Sequence, residues 1–346
     1  MLRPAIILLP VLCVLYSGYS QDIPVRLMFY NVENLFDISD DPHTEDNDFL
    51  PGGVMRWNYT RYNKKINSIY KTIIAAGEWA PPGIIGLCEN ENRKVLEDLL
   101  TGTNLLKFDY GILHEESPDE RGIDVSLLYR KDLVRILFSG YYLPSIPGNV
   151  VTGTRKVLYA KCLVDKDTVH IFVNHWPSRR GGVLAGEHNR MKIAAMVRQK
   201  VDSIGASVSG SKIIITGDFN CTPDDPVMKR LTSTTACKLI NLSEKVSDTG
   251  QGTYRFSGTW EVIDQIIVSE SLLNCKSGLS ADMNSLRIFK PEFLLTDDPK
   301  FPGSRPFSTY SGYRYQGGFS DHLPVIRSMV GSWTPVTIGC LTCEWP

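Results

Sequence analysis

The chain has 346 residues, of which 42% are hydrophobic and 22% are charged, and its formal net charge is −1. A chain of this size and composition can bury a large core, which excludes a disordered protein. The near-neutral charge also excludes a broad basic field that would attract nucleic acid, so any polyanion must be held by a local cluster of cations.

The first residues predict export. Residues 4–17 form an apolar run that is short for a bilayer span, with Arg3 before it and Gly18-Tyr19-Ser20 after it. This pattern predicts a secretory signal peptide over residues 1–20, and so a secreted or periplasmic protein without a transmembrane segment in the mature chain. An uncleaved membrane anchor is the alternative, and the prolines within the run disfavour it.

The cysteines give limited information. One of the eight, Cys13, lies in the predicted signal peptide, which leaves seven. An odd number in an exported protein implies at least one thiol that is free, buried or paired between chains. Cys88 lies in an apolar run and is predicted to be a small core residue. Cys340 and Cys343 are predicted to form a local disulfide or a tail contact, because no second ligand pair completes a metal site.

Short β-branched apolar runs alternate with a few amphipathic stretches. The predicted strands are Val25–Tyr30, Gly83–Cys88, Asp124–Tyr129, Val134–Leu143, Val157–Val164, Val169–Asn174, Ile213–Gly217, Val262–Ser269 and Pro324–Met329. The predicted helices are Thr60–Ala76, Arg93–Leu100, Gly186–Ser203 and Pro226–Leu231. Many strands with few helices predict an α+β fold in which packed sheets carry helices outside. The chain length suits one sizeable domain or two small ones.

Two predicted loops have a biased amino-acid composition. Asp37 to Asp48 contains six acidic residues and no lysine or arginine. Clustered oxygens suit Ca²⁺ or Mg²⁺, but the segment lacks the ligand spacing and central glycine of a calcium-binding helix-loop-helix motif. A solvated surface loop is the favoured interpretation. Thr296 to Gly318 is rich in Pro, Gly, Ser and Tyr and predicts an irregular connection, which could shape a substrate mouth or simply cross the surface.

Polar side chains close the first two predicted strands. Asn31 follows the first strand, where a carboxamide can orient a metal-bound water or a phosphate oxygen, although Asn also commonly closes strands. Glu89 follows the apolar run Gly83–Cys88. A carboxylate at the end of a buried strand needs a partner, and a divalent cation suits it, whereas a solvent-facing Glu is the alternative.

His175 closes a third strand and is followed by Arg179 and Arg180 in a Gly-rich turn. A histidine with two arginines forms a local cationic patch that suits phosphate oxygens. The alternative is a surface histidine beside a basic turn, and the position of the arginines in a turn, away from a helix face, favours function.

The last polar groups lie in the second half of the chain. Asp218 and Asn220 follow a fully apolar strand, and their spacing places both on one side of an extended chain, where they could hold water and stabilise phosphorane-like charge. Asp264 is a carboxylate in an otherwise apolar strand, so it needs a donor. The imidazole of His322, in the tetrad Ser320–Leu323, is a suitable donor whose other nitrogen could take a proton from water.

These motifs in this order resemble the endonuclease/exonuclease/phosphatase superfamily, specifically a deoxyribonuclease-like, secreted bacterial-type member. The resemblance covers about residues 25–330 and rests on Asn31-Val32-Glu33-Asn34, Glu89, Asn174-His175, Gly217-Asp218-Phe219-Asn220, Ile263-Asp264 and Ser320-Asp321-His322-Leu323-Pro324. It implies a single domain over residues 21–346, built as a four-layer α/β/β/α sandwich of two mainly antiparallel sheets with the site at the strand ends.

The resemblance also implies roles. It implies Mg²⁺, or alternatively Mn²⁺ or Ca²⁺, held chiefly by Glu89 with Asn31 and Asp321 nearby. His322 becomes the general base oriented by Asp264. Asp218 and Asn220 are implied to position the nucleophile and the phosphate. His175 is implied to stabilise the transition state or to assist the leaving group.

Phosphate contacts are inferred from position. Arg179 is the main candidate, and Arg155 and Tyr129 are weaker ones. The residues Asn90-Glu91-Asn92 after the glutamate, and the acidic segment after Asp37, depart from the pattern of many relatives and leave the substrate open.

Three functions compete. The leading one is an exported metal-dependent phosphodiesterase, an endonuclease or other nuclease acting on DNA or RNA, with late-loop aromatic residues stacking on bases. The second is a phosphomonoesterase or a lipid or inositol-phosphate phosphodiesterase, which the near-neutral charge favours. The third is a binding module without turnover, which the complete polar set disfavours. No stable protein partner is implied.

Overall fold

The computed structural model describes residues 25–146, 149–150, 154–179, 183–233, 236–273, 275 and 278–332. The predicted signal peptide, Arg180, Cys340 and Cys343 lie outside these residues. Most of the described strands belong to two large sheets.

Sheet A is built from both ends of the described chain. Its seven strands are β1 (Val25–Leu35), β2 (Ile84–Asn90), β3 (Tyr110–His114), β4 (Asp124–Arg130), β11 (Gly278–Ala281), β12 (Arg287–Ile288) and β13 (Val325–Ser332). Their order is β11-β13-β1-β2-β4-β3, and β12 also pairs with β13.

Sheet B is built from the middle of the chain. Its six strands are β5 (Val134–Tyr142), β6 (Val157–Val164), β7 (Asp167–His175), β8 (Lys212–Asp218), β9 (Leu239–Asn241) and β10 (Asp264–Ser269). Their order is β9-β10-β8-β7-β6-β5.

Each sheet contains one parallel pair in an otherwise antiparallel arrangement. β1 pairs with β2 in sheet A, and β7 pairs with β8 in sheet B. A helix makes each crossover, α1 (Tyr59–Gly77) in sheet A and α3 (Val183–Ser207) in sheet B. Parallel neighbours end at the same edge of a sheet, so each pair brings two carboxyl ends together.

The helices cover the outer faces of the sheets. Asn58 caps α1 by accepting a hydrogen bond from the Arg61 N–H, and Asn92 caps α2 (Arg93–Thr101) through the Val95 N–H. The apolar faces of α1 and α2 pack on sheet A, and those of α3 and α4 (Pro226–Thr232) pack on sheet B. The shorter helices are α5 (Glu244–Ser247), α6 (Glu270–Leu273) and the 3₁₀ turns Asn47–Phe49, Asn104–Phe108 and Glu292–Leu294.

The inner faces of the two sheets form the main core. Leu27 and Phe29 of β1 belong to the same buried cluster as Ile171 of β7 and Ile214 of β8, and all four side chains are 0% exposed. The arrangement is therefore the predicted α/β/β/α sandwich with mainly antiparallel sheets.

The predicted strands and helices agree with the structure to within a few residues at most ends. Within the two large sheets, four short strands were not predicted: Tyr110–His114, Leu239–Asn241, Gly278–Ala281 and Arg287–Ile288. Three of them lie at sheet edges and β12 pairs only with β13. Short strands with one partner need no long apolar run, so the sequence carries little signal for them.

The loop predictions have mixed outcomes. The late segment is irregular as predicted, with the short hairpins Leu295–Asp297/Ser304–Pro306 and Tyr310–Ser311/Arg314–Tyr315. The acidic segment is not the fully solvated loop that was expected, because Asp37 and Asp46 are buried. Local backbone N–H groups donate to each of them, from Ser39 to Asp37 and from Asp41 to Oδ2 of Asp46.

Cys88 is a fully buried core thiol, as predicted, and Cys162 and Cys221 are also buried with free thiols. Among the described helices, none combines the length and apolar character needed to cross a membrane.

The inter-sheet core predicts a stability difference within sheet A. Leu27→Ala should lower the free energy of unfolding by about 2–5 kcal/mol, because it leaves a cavity between the sheets. Val330→Ala, at a position 44% exposed on β13, is the control and should stay within about 0.5 kcal/mol. Urea unfolding followed by circular dichroism measures both, and equal losses would contradict this account of the core.

Candidate active site

The topology brings four polar groups to one edge of the sandwich. Asn31 and Glu89 lie near the carboxyl ends of the parallel pair β1 and β2, and His175 and Asp218 end the parallel pair β7 and β8. Asp264 begins β10, which is antiparallel to β8, so it lies directly opposite Asp218. Strand register thus places these positions within each sheet, and the packing of the two sheets brings the two groups together.

The backbone at this edge adopts unusual conformations. Glu89 has a φ of 63° and interrupts the register between β2 and β4, and Asn220 has a φ of 51°. Left-handed backbone is uncommon for residues other than glycine and here aims two polar side chains at the same region. Asn34, with a φ of 54°, donates its N–H to Oε2 of Glu89 at 3.0 Å.

His322 and Asp264 form a buried pair across the two sheets. Nδ1 of His322 lies 2.7 Å from Oδ2 of Asp264, which leaves Nε2 directed elsewhere. That nitrogen is 3.9 Å from Oδ2 of Asp218 and 4.0 Å from Oδ1 of Asp321. Burial would lower the pKa of His322, but the carboxylates of Asp264, Asp321 and Asp218 raise it well above its ordinary value.

Asp218 occupies the centre of the polar cluster. Its Oδ2 accepts from Nδ2 of Asn31 at 3.1 Å, and its Oδ1 accepts from the Asn220 N–H at 2.9 Å. Burial, aided by the negative charges of Asp264 and Glu89 and opposed by His322, raises the pKa of Asp218 to about 7. Asp218 thus connects Asn31 of β1 with the backbone that follows β8.

His175 is a neutral imidazole in this setting. Its Nε2 lies 3.7 Å from Oδ2 of Asp218 and 3.8 Å from Oε1 of Glu89. Burial, together with the positive charges of Arg155 and Arg121, lowers the pKa of His175 well below its ordinary value. Its buried Nδ1 has no hydrogen-bond partner among the described residues.

The donor set fits a hard divalent cation. Burial alone would raise the pKa of Glu89, but Arg121, His322 and Arg155 hold it below its ordinary value, so the carboxylate is charged. The side chain of Asp321 is 45% exposed, and both carboxylates line the same cavity. Oxygen donors in a crowded negative cluster are the ligands that Mg²⁺, Mn²⁺ or Ca²⁺ prefers.

Both polar atoms of the Asn31 side chain have partners at this site. Oδ1 accepts the Glu33 N–H at 2.9 Å, and Nδ2 donates to Asp218. Ligating atoms of Asp218, Asp264 and His322 also lie within 4.8 Å of one another. Within this trio the His322–Asp264 hydrogen bond already occupies one nitrogen and one carboxylate oxygen, and Asp218 accepts hydrogen bonds from Asn31 and Asn220.

A cavity of about 540 Å³ opens over these groups. Its lining includes the predicted residues Glu89, His175, Arg179, Asp218, Asn220, Asp321 and His322. The structure thus collects these side chains, which the sequence spreads over more than two hundred positions, around one space.

The three predicted phosphate contacts have different outcomes. Arg179 lines the cavity, and its guanidinium donates to the Asn220 carbonyl at 2.8 Å and to Glu261 at 2.9 Å. Arg155 does not line it: the buried guanidinium binds Asp119 at 2.8 Å and the Trp176 carbonyl at 2.9 Å. It therefore positions the backbone behind His175. Tyr129 lies on β4, outside the lining.

Sequence analysis missed several cavity residues, namely Arg121, Ser178, Tyr254, Phe256, Glu261 and Ile263. Three belong to a β-hairpin, Tyr254–Phe256 paired with Thr259–Glu261. Its turn, Ser257-Gly258, has φ angles of 47° and 83°. A Ser-Gly pair between short β-prone runs is a hairpin signal that could have located this element.

The aromatic prediction needs correction. The late-loop residues Tyr310 and Tyr315 pack on each other, and Tyr310 also contacts Phe49 and Trp57, away from the cavity lining. The aromatic residues at the cavity come from the hairpin instead.

Residues 26–330 match the model of a family described as "Endonuclease/Exonuclease/phosphatase family". No curated protein sequence matches this chain.

Solved structures share the fold at low sequence identity. An endonuclease/exonuclease/phosphatase family protein from Bacteroides thetaiotaomicron is 16% identical, with a TM-score of 0.57 over 90% of this chain and 100% of that one. A mannosyl-6-phosphatase from the same species gives 16% and 0.56 over 88% and 99%. TDP2 of D. rerio, complexed with single-strand DNA product, gives 13% and 0.54 over 89% and 99%.

The His322–Asp264 pair predicts a measurable titration change in metal-free protein. Asp264→Asn removes a carboxylate that raises the pKa of His322, so that pKa should fall. A raised pKa stabilises the folded state fully below the unfolded imidazole value of about 6.5, and this contribution disappears as pH rises through the folded value. The variant's loss of stability should therefore be larger at low pH.

NMR titration of the imidazole C–H signals and urea unfolding across pH measure these effects. Asp202→Asn, which removes a partner of Arg198 on α3, is the control and should leave the His322 signal in place. An unchanged His322 titration in Asp264→Asn would contradict the assignment.

Proposed function

The chain belongs to the endonuclease/exonuclease/phosphatase family, and we propose that it is a metal-dependent hydrolase of phosphate esters that directs water onto phosphorus. The observation that carries the proposal is the His322–Asp264 pair opening onto the same cavity as the charged Glu89 and Asp321. A positioned base and hard-cation ligands around one space are the requirements of this reaction.

His322 acts as the general base in this proposal. Asp264 holds Nδ1–H, which fixes the tautomer and leaves Nε2 to accept a proton from the attacking water. The raised pKa of His322 reflects three nearby carboxylates. A positive charge beside those carboxylates would offset their effect and lower the pKa of His322. Nε2 could then accept a proton near neutral pH.

Glu89 and Asp321 would hold the metal, with Asn31 beside them. A bound divalent cation supplies charge neutralisation of phosphate oxygens, and Mg²⁺ is the proposed ion. Asn34 orients Glu89 through its backbone N–H at 3.0 Å. Asn31 meanwhile fixes Asp218 from the sheet A side.

The remaining cavity groups orient the ester. Asn220 donates its side-chain N–H to the Trp176 carbonyl at 3.0 Å, which holds its carboxamide at the cavity wall. Neutral His175 offers a donor towards charge that develops on phosphate or leaving group. Arg179 is held in place by Glu261 and the Asn220 carbonyl and presents its fixed positive charge at the cavity.

Nucleic acid is the leading substrate. Support comes from Arg179 as a fixed phosphate-binding cation and from the shared fold with a TDP2 that is complexed with single-strand DNA product. A cavity of about 540 Å³ suits a strand end or a single strand better than a duplex. The reaction would then be nuclease or phosphodiesterase chemistry.

A phosphomonoester, an inositol phosphate or a lipid phosphodiester is the second candidate. Two features support this candidate: the net charge of −1 and the acidic segment Asp37–Asp48. Neither feature would attract a long polyanion. A mannosyl-6-phosphatase shares the fold.

Export remains part of the proposal and rests on residues 1–20. In a secretion-competent bacterial host, we expect the exported protein to begin at Gln21. N-terminal sequencing of the periplasmic or medium fraction measures this, and an uncleaved cytoplasmic product would refute it.

Catalysis should depend on both the base and the metal. His322→Ala should lower kcat by roughly 10²–10⁴-fold, because Nε2 no longer takes the proton from water. Glu89→Gln should raise the Mg²⁺ concentration needed for half-maximal rate. EDTA should stop turnover, and added Mg²⁺ should restore it.

His43→Ala, at an exposed histidine of the acidic segment, is the matched control and should retain full activity. Turnover that persists in EDTA and in His322→Ala would reject the mechanism, and a protein inert on every phosphate ester would favour the binding module.

A substrate panel with Mg²⁺, Mn²⁺ and Ca²⁺ separates the two substrate classes. Single-stranded oligonucleotides should be cleaved with higher kcat/KM than phosphorylated sugars, inositol phosphates or sphingomyelin, because Arg179 is proposed to bind a backbone phosphate next to the scissile one. Release of oligonucleotide fragments and of inorganic phosphate gives the two readouts. Phosphate release from a sugar phosphate without strand cleavage would replace the leading substrate with the second.

A further inference from the structure

The hairpin of residues 254–261 has two chemically different faces. Tyr254, Phe256 and Glu261 line the cavity. Tyr254 lies opposite Glu261 in the hairpin register, and residues two apart on a strand share a face. The other face carries Arg255 and Trp260, which are paired with each other and do not belong to the lining.

The outer face anchors the hairpin. Arg255 donates to the carbonyls of Gly258, Pro302 and Ser304, and it forms an ion pair with Asp298 at 3.5 Å. Lys290 Nζ lies 4.0 Å from the centre of the Trp260 ring. The rings on the cavity face are therefore held on an immobilised element.

The base of the hairpin is attached to the proposed catalytic pair. Thr253 accepts the Leu323 N–H at its carbonyl and the Asp264 N–H at its hydroxyl. The Tyr254 ring lies 4.9 Å from the His322 ring at an interplanar angle of 35°. A group that contacts the cavity face of the hairpin is therefore close to the proposed site of reaction.

Phe256 is 61% exposed although the hairpin that carries it is anchored through Arg255. Contact between an exposed aromatic ring at a cavity mouth and a flat apolar surface is favourable, because it removes apolar area of both from water. With Tyr254 and Ile263 it forms an apolar wall that faces the polar groups of the cavity.

We propose that Phe256 and Tyr254 form a stacking subsite for the nucleobase next to the scissile phosphate, an inference that rests on the proposed function. A nucleobase offers a flat π-face to the wall and can keep its polar edge towards the open mouth. Sugar hydroxyls pressed on the aromatic rings of this wall would lose hydrogen bonds to water, which costs free energy.

The test compares two trinucleotides that differ only in bases. One carries all three bases, and the other carries a tetrahydrofuran abasic residue on each side of the scissile phosphate. The wild-type protein should cleave the base-bearing trinucleotide with higher kcat/KM. In Phe256→Ala this preference should fall roughly 5- to 150-fold, mainly through KM, because base–aromatic stacking is lost. Phe256→Trp should keep the preference.

Trp79→Ala is the matched control, because Trp79 is 97% exposed and lies outside the cavity lining. It should retain the wild-type preference. An unchanged preference in Phe256→Ala, or no preference in the wild type, overturns the subsite. If the wild type cleaves neither trinucleotide but hydrolyses a sugar phosphate, nucleic acid is wrong as substrate and the subsite fails with it, whereas metal-dependent ester hydrolysis stands.

Discussion

The hydrogen bond between His322 and Asp264 joins the two halves of the molecule. His322 precedes β13 in sheet A and Asp264 begins β10 in sheet B, with 2.7 Å between their side chains. Asn31 of sheet A binds Asp218 of sheet B at 3.1 Å, which forms a second polar contact across the same seam. The proposed active site thus exists only while the apolar inner faces keep the sheets in register. Core packing and catalytic geometry are therefore one constraint.

The seam concentrates negative charge, and the surrounding layers balance it. Arg121 and Arg155 lower the pKa of Glu89 even though burial opposes them. On the other side, Lys65 of α1 contacts Glu33 at 3.8 Å and donates to the Phe319 carbonyl at 2.7 Å. An outer helix thereby holds the segment that carries His322, the proposed base. Such buried charges are costly unless paired, which explains why so many cations converge on this edge.

Substrate access is decided by loops on top of this rigid edge. The hairpin of residues 254–261 closes one side with two aromatic rings and a carboxylate that fixes Arg179. In our proposal the edge groups supply the chemistry of phosphate-ester hydrolysis, whereas the hairpin differentiates one ester from another. This division is common in sandwich and barrel enzymes, where a rigid scaffold positions variable loops.

The sequence by itself determined the long strands and helices and nearly the whole polar set. Apolar runs predict buried strands. A carboxylate at the end of such a run needs a partner, and this requirement identified Glu89, Asp218 and Asp264. The motif order also indicated the family. Only the tertiary structure decided that Arg155 supports the backbone behind His175, that Arg121 reaches the cavity and that Phe256 lines it. These roles depend on contacts between segments far apart in the chain, which local periodicity does not encode.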